Sequence, residues 1–198
     1  IALADTLSLT DPAAAPASVL GPGTVILVDA LTARRALVFR QPKRVLTCHA
    51  LDDAQAFLAA LEAEQAAGAH LAGFLAYEFG FAFEPKLAAS WQADGEPLAW
   101  FGAYEAPEVL SLGALDDVLR QTSGLLEGTI DSFSYDMDRA RYAQAFAAVQ
   151  HHLAVGDIYQ ANLTMRARFR HEGPAAAQFA RLIRRQPVAH GAFLQLED

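Results

Sequence analysis

The 198-residue chain has little of what marks secreted, nucleic-acid-binding or membrane-spanning proteins. It has one cysteine, Cys48, so it cannot form an internal disulfide of the kind that stabilises small secreted folds. Fifteen basic against twenty-three acidic residues give a net charge of −8, whereas nucleic-acid binding draws its affinity from Lys and Arg. The longest apolar stretch, residues 71–83, contains Glu78 and is shorter than the roughly 20 residues that span a bilayer. We therefore expect a globular cytoplasmic protein without nucleic-acid or membrane partners.

The sequence also lacks the short motifs of several kinds of site. Its glycines form neither a dinucleotide-binding nor a phosphate-binding loop, and no Ser or Cys stands in a nucleophile elbow. His151 and His152 are adjacent on a predicted helix and diverge by about 100°, whereas a helical metal pair has i, i+4 spacing. We therefore expect no metal site within these residues.

The sequence does contain apolar residues at both helical and strand spacing. Apolar residues make up 53% of the chain, which is enough to form a core. A helix is predicted to begin at Asp52 or Asp53 and to end at Gly68. Alternating or β-branched segments predict strands over residues 24–29, 36–40, 44–49, 71–77 and 98–104. Antiparallel strands with interposed helices are typical of an α+β fold, so we expect mostly antiparallel sheets with flanking helices.

The second part of the chain is dominated by a predicted long helix. It begins at Asp136 or Asp138 and ends at Gly156, followed by a helix after Pro174 and a strand from Ala192. Residues 105–133 are rich in Gly and acidic residues and predict a boundary between lobes. We expect an amino-terminal lobe over residues 1–130 and the beginning of a second domain over residues 131–198.

Residues 156–164, GDIYQANLT, are the most informative segment. They follow the long helix, and from Tyr159 to Phe169 the apolar residues alternate with polar ones, which predicts a strand. The alternation places the side chains of Gln160, Asn162 and Thr164 on one face, which we expect to line a polar cleft. Amides on a strand face are more often simply solvated, and that alternative is open at this point.

This segment resembles the GDIYQVNL-type segment that opens the chorismate-binding domain of anthranilate synthase and aminodeoxychorismate synthase large subunits. Residues 73–78 are similar to the G-Y-x-S-Y-E strand of the amino-terminal lobe in that family, and residues 191–196 resemble a later strand. The resemblance implies the fold of chorismate-utilising enzymes. It also implies that the lysine or alanine motif P-I-K/A-G-T, the metal-binding glutamates and the acid/base histidine of the family lie beyond residue 198.

The resemblance implies a catalytic role for Gln160. The water-using relatives carry a lysine at this position as a base, and the ammonia-using relatives carry glutamine. Ammonia is already a nucleophile and needs only placement, for which a neutral amide suffices. By the same resemblance, Asn162 and Thr164 are expected to bind substrate.

The family's tryptophan-binding effector pocket is expected to be degenerate in this chain. Its serine corresponds to Ala30, next to Asp29, and its Pro-Phe/Tyr element corresponds to Ala189 and His190. Alanine offers no hydroxyl to the charged ends of the ligand. These departures favour the aminodeoxychorismate branch over anthranilate synthase, in which tryptophan feedback is the rule.

The resemblance therefore implies a large subunit that adds ammonia, delivered by a glutamine amidotransferase partner, to chorismate for folate synthesis. Mg²⁺ is implied as the cofactor, with ligands beyond this chain, and we expect these 198 residues to be inactive alone. The alternatives are anthranilate synthase component I and a noncatalytic binding or subunit-contact module. The P-I-K-G-T or P-I-A-G-T motif would discriminate the two enzymes.

Overall fold

The computed structural model of the protein describes residues 20–124 and 128–196. Residues 1–19 and 125–127 of the predicted amino-terminal lobe, and residues 197–198, lie outside the described residues. The strands are β1 (Thr24–Asp29), β2 (Arg35–Phe39), β3 (Arg44–Cys48), β4 (His70–Leu75), β5 (Ala99–Tyr104), β6 (Glu108–Ser111), β7 (Thr129–Tyr135), β8 (Ala167–Glu172) and β9 (Gly191–Gln195). The helices are α1 (Ala54–Ala66), α2 (Pro85–Ala88), α3 (Leu112–Ser123), α4 (Arg139–Val155) and α5 (Ala175–Arg185), with 3₁₀ turns at Leu51–Asp53 and Tyr77–Phe83.

The described strands form three antiparallel sheets. The first has the order β6-β2-β1-β9, the second β3-β5-β4, and the third consists of the two strands β7-β8. The predicted α+β fold with mostly antiparallel sheets and flanking helices is confirmed. Among the described residues, no helix has both the length and the apolar character needed to cross a membrane.

The first two sheets and three helices stack as layers, because β1 is apolar on both faces. Ile26 and Val28 pack against α3 and α5, whereas Val25 packs against Trp100 and Tyr104 of the second sheet. On the far side of the second sheet, the residues that pack against α1 include Leu46, Cys48 and Leu98. Each fully buried aliphatic side chain of this size stabilises the fold by about 1.5–3 kcal/mol.

Tyr104 links the first two sheets. Its side chain is 1% exposed, and its hydroxyl donates a 2.7 Å hydrogen bond to the carbonyl oxygen of Gly23, just before β1. Its ring lies over Gly102, where an added Cβ would come within 2.3 Å of the ring. Glycine is therefore required at residue 102 for Tyr104 to reach β1.

The chain returns to the first sheet at its far end. Strand β9 pairs with β1 from Thr24↔Gln195 to Val28↔Gly191, and α5 packs beside α3. Elements from residues 131–198 thus complete a sheet that begins in the predicted amino-terminal lobe. The boundary at residue 130 stays a prediction. In the structure, β9, which follows this boundary in the sequence, pairs with β1, which precedes it.

One helix was not predicted, and one predicted strand was wrong in its extent. Residues 105–133, for which only a boundary between lobes was predicted, contain β6, α3 and part of β7. Helix α3 begins after Ser111, whose hydroxyl accepts a hydrogen bond from the Ala114 N–H, and it buries Leu115, Val118 and Leu119. The strand predicted from Tyr159 begins only at Ala167.

Candidate active site

Helix α4 delivers the chain to residues 156–164. The Asp138 side chain accepts a 2.8 Å hydrogen bond from the Arg141 N–H and caps the first turn, as predicted. Gly156 ends the helix with φ 82°, a left-handed conformation that glycine adopts without steric penalty. Both predicted ends of this helix are confirmed.

Residues 158–166 form an irregular segment between two anchors, because no strand pairs with them in the described structure. At its start, the Asp157 N–H donates to the His152 carbonyl at 3.0 Å, and a carboxylate oxygen of Asp157 lies 2.8 Å from His152 Nδ1. At its end, Asp136 and Arg166 exchange two hydrogen bonds of 3.0 Å each. The β7-β8 ladder stops at this point.

Gln160, Asn162 and Thr164 lie within this segment and are all exposed. Tyr159, predicted to face the apolar side, is 95% exposed, so the expected division into an apolar and a polar face is not realised. The structure brings the three predicted site residues onto one short segment. It does not bury them in a cleft of the described residues, and their roles in catalysis and substrate binding stay predictions.

The elements that flank this segment present an apolar surface. Phe133 of β7 stacks on Phe169 of β8 with ring centroids 6.3 Å apart, and Tyr142 stacks on Phe146 of α4 at 6.2 Å. All of β7 is exposed, and α4 has no buried residue. These are two exposed apolar patches, one on β7 and β8 and one on α4, and larger exposed apolar patches typically mark interaction sites.

The predicted effector residues come from two segments that the fold brings together. The Ala30 N–H donates a 2.8 Å hydrogen bond to the Val188 carbonyl, which places Ala189 and His190 close to the end of β1. A cavity of about 340 Å³ lies at this end of the sheet. Of the four predicted effector residues, only Ala30 lines it, together with Arg34, Leu112, Gly113, Leu115, Asp116, Leu119, Ala180, Ile183, Arg184 and Pro187.

The carboxylate of Asp29 is occupied within its own turn. It accepts hydrogen bonds from the Thr32 hydroxyl and from the backbone N–H groups of Leu31, Thr32 and Ala33. The Thr32 hydroxyl, followed by the N–H groups of Ala33 and Thr32, holds the pKa of Asp29 well below its usual range. The side chain of Asp29 therefore shapes the turn after β1. Whether these four residues bind an effector stays a prediction.

An ionic contact between α3 and α5 was not predicted from the sequence. Asp116 accepts from both Arg120 and Arg184, with closest distances of 2.6 Å. Burial raises the pKa of Asp116, but the hydrogen bonds from the two arginines outweigh that effect and lower it. The basic last turn of α5 was the available signal, yet its partner lies 68 residues away. An open depression of about 860 Å³ lies beside this contact, lined in part by Arg181 and Arg185.

The described residues contain no cluster of metal-binding side chains for the implied Mg²⁺. Residues 20–124 and 128–196 contain no group of three or more His, Cys, Asp or Glu side chains that could hold a metal ion.

The side chains of Gln160, Asn162 and Thr164 carry no charge, so they can orient a substrate through hydrogen bonds. The exposed segment carries two amides and a hydroxyl, which donate hydrogen bonds to carboxylates and accept them from amines.

Residues 116–198 match the model of the chorismate binding enzyme family. The matched range covers α4, the segment 156–164 and β9, so the resemblance of these residues is confirmed at the level of this family. Residues 73–78 lie outside the matched range, and their resemblance stays a prediction. A search of the curated proteins finds no match.

Proposed function

We propose that this chain belongs to an aminodeoxychorismate synthase large subunit. In the proposed reaction, ammonia replaces the 4-hydroxyl of chorismate, which leaves as water. A glutamine amidotransferase partner supplies the ammonia. The observation that carries the proposal is the GDIYQANLT segment, which lies inside the range similar to chorismate binding enzymes and follows a helix capped at both ends.

The residue choice at position 160 supports an ammonia-using reaction. Lysine on a partly desolvated surface can lose its proton and activate water, whereas glutamine cannot act as a base at neutral pH. The Gln160 amide can accept a hydrogen bond from ammonia and direct its lone pair toward the substrate. Asn162 and Thr164, which follow at alternate positions, would donate hydrogen bonds to the carboxylates of chorismate. Mg²⁺ enters the proposal only through the family resemblance.

The substitutions at the predicted effector positions favour this branch over anthranilate synthase component I. Ala30 has no hydroxyl, and the Asp29 carboxylate is engaged by its own turn. A tryptophan ligand would thus lose polar partners at the end of β1. The exposed apolar surface on α4, β7 and β8 is the observation that favours a noncatalytic binding module instead.

The test is to assay Gln160→Lys and Gln160→Ala in the full-length product of the gene with chorismate, Mg²⁺ and ammonium. Loss of placement should lower amination on the order of 10²-fold, and Gln160→Lys should admit some addition of water. Gln65→Ala, at an exposed position on α1, is the matched control and should retain the wild-type rate.

Chromatography of the products separates the candidates. Aminodeoxychorismate supports the proposal, anthranilate supports the rival enzyme, and no chorismate turnover supports the binding module. Wild-type rates in both Gln160 variants would remove this residue from the site.

A further inference from the structure

We propose that His152 and Asp157 are positioning residues that fix the start of the segment carrying Gln160, Asn162 and Thr164. The link to catalysis rests on the function proposed above, whereas the contact itself is a property of the structure. Neither residue is expected to touch substrate.

The start of this segment is held through a single residue of α4. The His152 carbonyl accepts hydrogen bonds from the N–H groups of Asp157 at 3.0 Å and of Ile158 at 3.5 Å. The His152 ring adds a third contact, from Nδ1 to a carboxylate oxygen of Asp157 at 2.8 Å. The left-handed turn at Gly156 directs the chain back toward the helix and makes this geometry possible.

The side-chain contact matters because the segment has few other restraints. A residue inside a sheet is held by backbone hydrogen bonds to the neighbouring strands. Residues 158–166 have no paired strand in the described structure. The second anchor, between Asp136 and Arg166, lies at the opposite end. Fixing the backbone of an exposed segment opposes its conformational entropy, so the orientation of Gln160 depends on these two anchors.

The neighbouring histidine provides an internal comparison. His151 is also exposed on α4, but its described ring contact is with His152, at 5.8 Å between centroids. Replacing His151 therefore changes the same helix turn without removing the contact to Asp157. Of these two histidines, we expect only His152 to affect the conformation of the segment that follows α4.

The contact can be tested in the 198-residue chain by chymotrypsin cleavage after Tyr159. Cleavage after Tyr77, which is 85% exposed and lies in a distant 3₁₀ turn, provides the reference within each molecule. His152→Ala and Asp157→Ala should raise the Tyr159 to Tyr77 cleavage ratio by about 2- to 5-fold, as expected for the loss of one solvent-exposed hydrogen-bonded contact. The double variant should be no more susceptible than either single variant.

A conservative variant distinguishes the contact from a general loss of helix stability. In His152→Asn the side-chain amide nitrogen lies near the position of Nδ1 and can still donate to Asp157, so the cleavage ratio should return toward wild type. His151→Ala should leave the ratio unchanged. Unchanged ratios in both His152→Ala and Asp157→Ala would overturn the proposal.

The positioning role is tested in the full-length product of the gene. His152→Ala and Asp157→Ala should lower kcat/KM for ammonia, and His152→Asn should restore it, at unchanged melting temperature. Altered cleavage with unaltered amination would overturn the positioning role. If the wild-type protein does not aminate chorismate, the proposed function fails, and the cleavage ratios alone then decide whether the contact orders the segment.

Discussion

Tyr104→Phe tests how strongly the first two sheets are joined. The substitution removes one oxygen and leaves the ring, which contacts Phe39 at 5.3 Å between centroids. It breaks the 2.7 Å hydrogen bond to the Gly23 carbonyl and leaves that carbonyl without its described side-chain donor. An unsatisfied buried polar group costs about 1–3 kcal/mol, so we expect the free energy of unfolding to fall by about 2 kcal/mol.

The measurement is thermal and chemical denaturation of the 198-residue chain. For a protein of this size, about 2 kcal/mol corresponds to a fall in Tm of roughly 4–8 °C. Tyr159→Phe is the matched control, because Tyr159 is 95% exposed and its variant should unfold within about 0.5 kcal/mol of wild type. Equal stability of Tyr104→Phe and Tyr159→Phe would refute the reasoning about this bond.

The same residue predicts a response to alkaline pH. Burial raises the pKa of Tyr104, because the tyrosinate is disfavoured away from water. The unfolded chain therefore releases this proton first, so stability is fully present below about pH 10, the usual tyrosine pKa, and falls as the pH rises above it. Tyr104→Phe should show a smaller loss between about pH 9 and 11, measured by denaturation at each pH.

Three further predictions concern β4, the turn after β1 and the predicted effector pocket. A Cβ at Gly73 would lie 2.0 Å from the Trp100 carbonyl oxygen, so Gly73→Ala should destabilise the protein by about 3 kcal/mol in chemical denaturation, whereas Gly80→Ala, which meets open space, should change little. Because the pKa of Asp29 is lowered in the fold, its contribution to stability is present above about pH 4 and is lost as the pH falls. Asp29→Asn should therefore lose less stability than wild type between pH 7 and pH 3; an equal loss in both proteins would contradict this. Tryptophan should bind weakly, given Ala30, and a calorimetric dissociation constant below about 10 μM, roughly −7 kcal/mol, would show that the effector positions are misassigned.

The sequence predicted those elements whose ends are marked by local chemistry. Helix α4 was predicted because Asp138 and Gly156 satisfy backbone groups at its two ends, and these are local interactions. Helix α3 was missed although its buried leucines recur at helical spacing, because nearby glycines and acidic residues resembled a linker.

The sequence predicted which segment carries the candidate site, but the strand conformation predicted for that segment was wrong. The alternation from Tyr159 onward is real in the sequence, yet a strand also needs a partner, and periodicity carries no information about one. In the structure the ladder between β7 and β8 ends at Tyr135↔Ala167, and Asp136 closes it through its contacts with Arg166. The contact between Ala30 and Val188 likewise joins two segments that are distant in the sequence. The family resemblance placed Ala30 near Ala189 and His190, whereas residue spacing alone gives no information about this contact.

The pairing of β9 with β1 has a consequence for biosynthesis. Strand β1 is among the first described residues to be translated, but its outer neighbour is among the last. Until β9 leaves the ribosome, one edge of this apolar strand offers unpaired backbone groups, the kind of edge that pairs with other chains. Contacts so distant in sequence also slow folding. A nascent chain that stalls near residue 130 should therefore depend on chaperones and aggregate more readily than one from which β9 has emerged.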